Sequence, residues 1–512
     1  MTPAATEQTT SSSRITFAQP ATNHGLLRAG FTLAIVLTML GQGFLYAGKP
    51  APKPAPTTQT VETLLSGSGW KLGSFPMGEG ESKGAYKPGF DDASFRVVQV
   101  PGEVQLQTGL KGKDLFLQSK ALNLINNQEW WYRKTFKVPA EASGKLVRLQ
   151  FDGVDYFSTI WVNGERLGGH EGDAQGFSFD ASKRLKYGAD NVLVVKVTCP
   201  WLPKGRGLTE YLKTSFSLQV EPNTPPLTKP PYYLGGGWGG VPVYANMSMT
   251  MGLYRDVKLQ ISEPVVLEDL YVYTKALNPD GSATLEITGN AKNYRDGKGD
   301  AQIAFDLTPV NFSGDPIHVQ AKTLTLQPGD NRFVQETVVQ NPQLWWTWDL
   351  GAQNIYRLDA KISAGAGANG NSGSTTFGIR TISRDQDLSY RLNGKRVFLK
   401  GVWYPMGDYY PSRTTHQTYE RDLRLLKATY SNHVVTQIVE KQDFYDLCDQ
   451  LGLIIFIQLP FTQFGPYQVV EAGNPRREPF LKNSREQVDG ILSGRSAFIP
   501  PSFSGVPWPK RV

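Results

Sequence analysis

Residues Leu392–Arg413, LNGKRVFLKGVWYPMGDYYPSR, bring together side chains able to handle a sugar. Aromatic faces such as that of Trp403 stack on the C–H surface of a sugar ring, and a carboxylate such as Asp408 accepts hydrogen bonds from its hydroxyls. The stretch Arg396–Val402 reads as a strand that delivers this aromatic and acidic loop at its C-terminal end. A second reading stands level with the first: Asp408 caps a turn and Trp403 packs a rim. Other carboxylates, Glu440 and Asp443, precede a helical pattern and fit capping or solvent exposure. The five histidines never pair at metal-ligand spacing, so no metal site is legible and no cofactor is expected.

The elements that would position these residues are mostly strands. The chain has 512 residues, enough for three or four domains, with 11% aromatic and 19% charged residues, 52 Gly and 34 Pro. Such a composition suits β-rich, loop-rich domains. The net charge of +7 is spread along the chain without a basic block, which argues against a nucleic-acid partner. Cys199 and Cys448 fall in separate segments, so a disulfide between them is not expected.

The N-terminal 1–60 segment is a polar leader, an apolar run at 29–47 and a Pro-rich linker. It suits either a long signal peptide or one membrane anchor. The absence of a clean A-x-A site tilts the reading toward the uncleaved anchor. Either way the expectation is export to a periplasmic or extracellular location.

From 61 to 262 the pattern is all β. Trp131–Val138 alternates as a half-buried strand, Leu146–Phe151, Ser158–Val162 and Asn191–Val197 follow, and Asn163-Gly164 makes a tight hairpin turn. In the stretch 221–244, Tyr232, Tyr233 and Trp238 offer either a sugar-stacking lip or ordinary surface packing, with packing preferred. From 263 to 377 another set of short strands reads as an immunoglobulin-like sandwich, with 364–374 a hairpin insertion. From 378 to 488 strands alternate with helices at Tyr419–Thr429 and Phe444–Leu451, the latter closed by Gly452, and Leu453–Ile457 reads as a buried parallel strand. The last segment, 489–512, is Ser/Pro/Gly-rich and reads as an irregular tail foreign to the fold.

Six pieces in order resemble glycoside hydrolase family 2: Gln99–Gly102, Trp131–Phe136, Phe151–Val154, Trp161–Gly164, Asp190–Val192 and Gly252–Val257. Phe377–Ile382 resembles that family's bridge into its catalytic domain, and the loop around Trp403 its β-mannosidase and exo-β-glucosaminidase-like branch. The resemblance implies a galactose-binding-like jelly roll, an immunoglobulin-like sandwich and part of a (β/α)8 TIM barrel. It also implies retaining hydrolysis of terminal β-linked sugars and a carbohydrate partner. Trp403, Asp408, Arg413 and Asn432 match substrate-binding positions. Val435 and Gln437 stand where the family carries Arg and Trp, which erodes the site.

A whole barrel needs about 250 residues, and no Asn-Glu pair, the family's acid/base signature, occurs anywhere in the chain. No catalytic residue is therefore nominated. The expectation is a chain truncated within its barrel and inactive, with a carbohydrate-binding protein or a non-functional product as the alternatives.

Overall fold

The computed structural model describes residues 60–110, 125, 128–172, 174–198, 250–364, 371–404, 407–408, 410–436, 439–457, 478 and 482. The 29–47 run, Cys199, the 221–244 stretch, Gln437 and the 489–512 tail lie outside them. Among the described residues, no helix is long and apolar enough to cross a membrane.

The first β region contains β1 (Val61–Leu64), β2 (Gly67–Pro76), β3 (Arg96–Val100), β4 (Gly102–Glu103), β5 (Gln128–Lys137) and β6 (Leu146–Phe151). It continues with β7 (Tyr156–Val162), β8 (Glu165–Gly172), β9 (Phe177–Asp180), β10 (Asp190–Thr198), β11 (Gly252–Leu253) and β12 (Val257–Ser262). A six-stranded sheet, β3-β2-β5-β10-β7-β8, faces a four-stranded one, β1-β12-β6-β9, while β11 pairs with β4. Trp70, Trp130, Tyr132, Leu149, Phe151, Val195 and Leu259 fill the space between the sheets. Asn163 and Gly164, at φ 53° and 87°, make the expected β7–β8 turn.

The half-buried alternation expected of Trp131–Val138 holds from Thr135 onward, where Thr135 and Lys137 are exposed and Phe136 and Val138 buried, and is corrected in the first half. There Trp130, Trp131, Tyr132 and Arg133 are all buried, because that half of β5 is covered on both faces. On the outer face Trp131 stacks on Trp161 and packs with Phe75, Phe90 and Phe95. Arg133 closes that cover by donating to Asp92 and to the carbonyls of Ala85 and Lys87.

The second β region is a sandwich of β13 (Val265–Leu277), β14 (Ala283–Asn293) and β17 (Arg332–Val339) against β16 (Ile317–Leu326), β15 (Gly299–Pro309), β18 (Tyr356–Ala364) and β19 (Ser372–Phe377). Strand β19 takes up part of the expected 364–374 insertion, pairing antiparallel with β18.

Next comes an antiparallel trio, β20 (Ile382–Arg384), β21 (Tyr390–Leu392) and β22 (Lys395–Val397). A parallel unit follows: β23 (Gly401–Tyr404), α1 (His416–Ala428), β24 (His433–Thr436), α2 (Gln442–Leu451) and β25 (Ile454–Ile457). The single strand expected at Arg396–Val402 is thus two strands. Arg396 pairs across a hairpin with Arg391, whereas the parallel ladder begins at Gly401 against His433. The backbones approach so closely there that a Cβ on residue 401 would lie 2.0 Å from His433 Nδ1 and 2.5 Å from its carbonyl oxygen.

Helix α1 starts three residues before the expected Tyr419 because the Thr415 hydroxyl caps it, accepting from Thr418 N–H at 3.3 Å. Helix α2 ends as expected at Gly452, φ 75°, with Leu453 N–H donating to Cys448 O at 2.9 Å. Strand β25 is buried along its whole length.

Candidate sugar site

The two ends of the parallel unit differ. At the ends where its strands begin, Asn432 is fully buried and its side chain is committed. Both amide hydrogens are used, donating to Asp349 Oδ2 at 2.9 Å and Phe398 O at 3.0 Å, while Oδ1 accepts from Lys400 N–H at 2.9 Å. Burial opposes ionisation of Asp349, but the Asn432 amide and the Lys400 ammonium beside it hold its carboxyl below the usual range. Beside it, Trp345 donates to Asp449 O at 2.8 Å, Arg380 lies over the Trp345 ring and pairs with Asp449, and Trp348 donates to Ser431 O at 2.7 Å. These contacts join the sandwich to the parallel unit.

At the ends where the strands finish lie the other three residues matched in the sequence. Trp403, next to last in β23, is 51% exposed, so one aromatic face is open. Asp408 and Arg413 are brought together: Arg413 Nη2 and Nε donate to Asp408 Oδ2 at 2.6 and 3.0 Å. Asp408 Oδ1 accepts from Tyr410 N–H at 2.9 Å, so the carboxylate also orders the turn. Asn432 stands apart from these three, at the opposite strand ends, and its polar atoms are taken by the joint.

Behind this rim is a buried polar layer that the sequence did not reveal. Glu440 was expected at a cap or in solvent, yet it is only 2% exposed, and the residue that precedes α2 at its N-cap is Lys441. Burial pushes its carboxyl up to about 7, against the Tyr419 hydroxyl and the Arg255 charge, which both pull it down. Tyr419 donates to Glu440 Oε2 at 2.6 Å. Asp443 does sit in the first turn of α2, where it meets His416 Nδ1 at 2.8 Å.

The jelly roll reaches this layer twice. Arg255 donates to Val439 O at 2.6 Å, and the Glu103 carboxylate accepts from Ser412. Arg255 and Glu103 lie in or beside motifs visible in the sequence, but nothing local says that they cross to another region. Among the described residues no group of three His, Cys, Asp or Glu side chains is placed to hold a metal ion. The arrangement offers an open aromatic face, a charge pair presented by an ordered turn, and a rigid backing.

Comparison with known proteins agrees with this architecture. Residues 83–255 match the glycosyl hydrolase 2 galactose-binding domain-like model, and residues 265–380 match the glycosyl hydrolases family 2 model. A beta-mannosidase B from Neosartorya fischeri is 25% identical over 410 residues, covering 76% of this chain and 46% of the relative. A beta-galactosidase from Bacteroides ovatus is 24% identical over 387 residues, covering 74% of this chain and 39% of its own length. Among solved structures, a beta-D-mannosidase from Dictyoglomus thermophilum superposes with a TM-score of 0.65 at 22% identity, covering 85% of this chain and 50% of that one. A Bacteroides uniformis beta-glucuronidase gives 0.63 at 19% identity, covering 86% and 46%. The chain therefore spans about half the length of the relatives it matches. On these matches and this architecture, the chain belongs to glycoside hydrolase family 2.

Proposed function

We propose that this chain carries a sugar-recognition face of a retaining β-glycosidase type, directed to terminal β-linked sugars of the mannoside or glucosaminide kind. In this reading the parallel unit is the opening of a (β/α)8 barrel, whose strand C-terminal ends face the substrate. The supporting observation is the placing of Trp403, Asp408 and Arg413 at that end of β23, with the aromatic face open and the charged pair ordered. Retaining enzymes place two carboxylates about 5 Å apart. No Asn-Glu pair occurs in residues 1–512, so this stretch is expected to hold a sugar without cleaving it.

Calorimetric titration of the 512-residue chain with methyl β-mannoside, beside a turnover assay with p-nitrophenyl β-mannoside, tests both halves. The expected result is saturable binding, lost in Trp403→Ala, with no release of nitrophenol. Turnover would overturn the binding-only reading. An absence of binding to methyl β-mannoside and to the β-glucosaminide alike would overturn the site.

A further inference from the structure

We propose that Glu103 is a positioning residue: a jelly-roll carboxylate that sets where the sugar-facing charge pair stands. Glu103 ends β4 and is fully buried. A buried carboxylate is costly unless its oxygens are hydrogen-bonded, and here both bind one residue of a distant loop. Oε1 accepts from Ser412 N–H at 2.9 Å, and Oε2 accepts from Ser412 Oγ–H at 2.5 Å.

Ser412 is the middle of a three-residue 3₁₀ turn, Pro411–Arg413. So short a turn has little stability of its own, and its position is set from outside. The residue after Ser412 is Arg413, which forks onto Asp408, whose other oxygen holds Tyr410 N–H. Contact thus runs from Glu103 through Ser412 and Arg413 to Asp408. On the far side of the turn, Lys441 Nζ donates to Thr414 O at 2.6 Å, and its charge is felt by Glu103. The loop is pinned between the jelly roll and the β24–α2 connection. Through Ser412, Glu103 acts on the charge pair by way of the turn.

The inference rests on the proposed sugar site only for its effect on affinity; the pin itself is tested separately. In the full chain, hydrogen exchange across residues 407–414 is compared for wild type, Glu103→Ala, Glu103→Gln and Ser412→Ala, together with methyl β-mannoside affinity and the melting temperature. Glu103→Ala should speed exchange at the Tyr410 and Ser412 amides and weaken the sugar about tenfold. Glu103→Gln keeps an acceptor for Ser412 N–H and an amide donor for its hydroxyl, so it should fall between the two. Unchanged exchange in 407–414 would overturn the proposal. So would equal acceleration throughout β4, β11 and the jelly-roll core, which marks general destabilisation. If Glu103→Ala does not fold, Ser412→Ala decides on the same exchange readout. If wild type binds no sugar, the exchange result still decides the pin, and only the proposed function falls.

Discussion

The two ends of the parallel unit are built on opposite plans. At the strand starts, Asn432, Asp349, Lys400, Trp345 and Arg380 close on one another, and Asn432 spends both amide hydrogens there. At the strand finishes, Trp403 keeps half its surface open, and Glu440 is buried with a carboxyl that titrates near neutrality. The first end spends its polar groups on cohesion. The second keeps exposed aromatic surface and a carboxyl raised by burial, beside contacts from another region. Barrel enzymes divide labour in this way, with stability at the N-terminal ends of strands and chemistry at the C-terminal ends.

If that division is right, damage at the first end should fall on stability. Asn432→Ala empties a fully buried position and strips partners from the partly exposed Asp349 carboxylate, a carbonyl and an amide at once. The expected loss is about 3 kcal/mol, read as a lower urea midpoint with an unchanged slope. A loss under about 1 kcal/mol would break the contrast.

The second end should show its character in pH dependence. The Glu440 carboxyl is raised from 4.5 to about 7 in the folded chain. The folded state therefore holds a proton that the unfolded state releases between those values, and stability falls as pH rises through that window. The ceiling on this loss is about 3 kcal/mol, from 1.36 kcal/mol per pKa unit. Asp446, raised to about 6, adds to the trend, whereas His170 and His433, lowered to about 4, oppose it. The comparison that isolates Glu440 is wild type against Glu440→Gln, which keeps an acceptor for Tyr419. The variant should melt higher than wild type at pH 8 and match it near pH 4.5. Parallel curves at both pH values would show that Glu440 is not the titrating group.

The smallest effect on stability is expected at the rim. Trp403→Ala removes a half-exposed side chain and should cost under about 1 kcal/mol by thermal melt. A cost above about 2 kcal/mol would make Trp403 part of the packing rather than an open face.

Local features were legible in the sequence. Asn163-Gly164 announced its hairpin because both residues accept positive φ, and Gly452 announced the end of α2 for the same reason. The apolar run of β25 announced a strand buried on both faces. Contacts over long range were not legible. The alternation in Trp131–Val138 pointed to one wet face, which Thr135 and Lys137 keep, but over the first half the cover from Phe75, Phe90 and Phe95 comes from elsewhere in the chain. Arg396–Val402 looked like one strand because side-chain pattern does not record that one half pairs with a hairpin and the other with His433. Trp403, Asp408, Arg413 and Asn432 were nominated by residue type and by resemblance; the first three stand at the strand finishes and Asn432 in the joint. Glu440 and Glu103 were missed because a carboxylate's burial depends on what folds over it.

The separation of 309 residues between Glu103 and Ser412 also bears on the order of events during folding. Neither the hairpins of the jelly roll nor the α1 crossover needs that contact, and each can form from neighbouring chain alone. The loop around Arg413 takes its final shape only once both partners are folded and docked, when a closure over some three hundred residues has already been met by other contacts. On the proposed function, sugar recognition is therefore the last property this chain would acquire as it folds, and the first it would lose when the jelly roll and the parallel unit part.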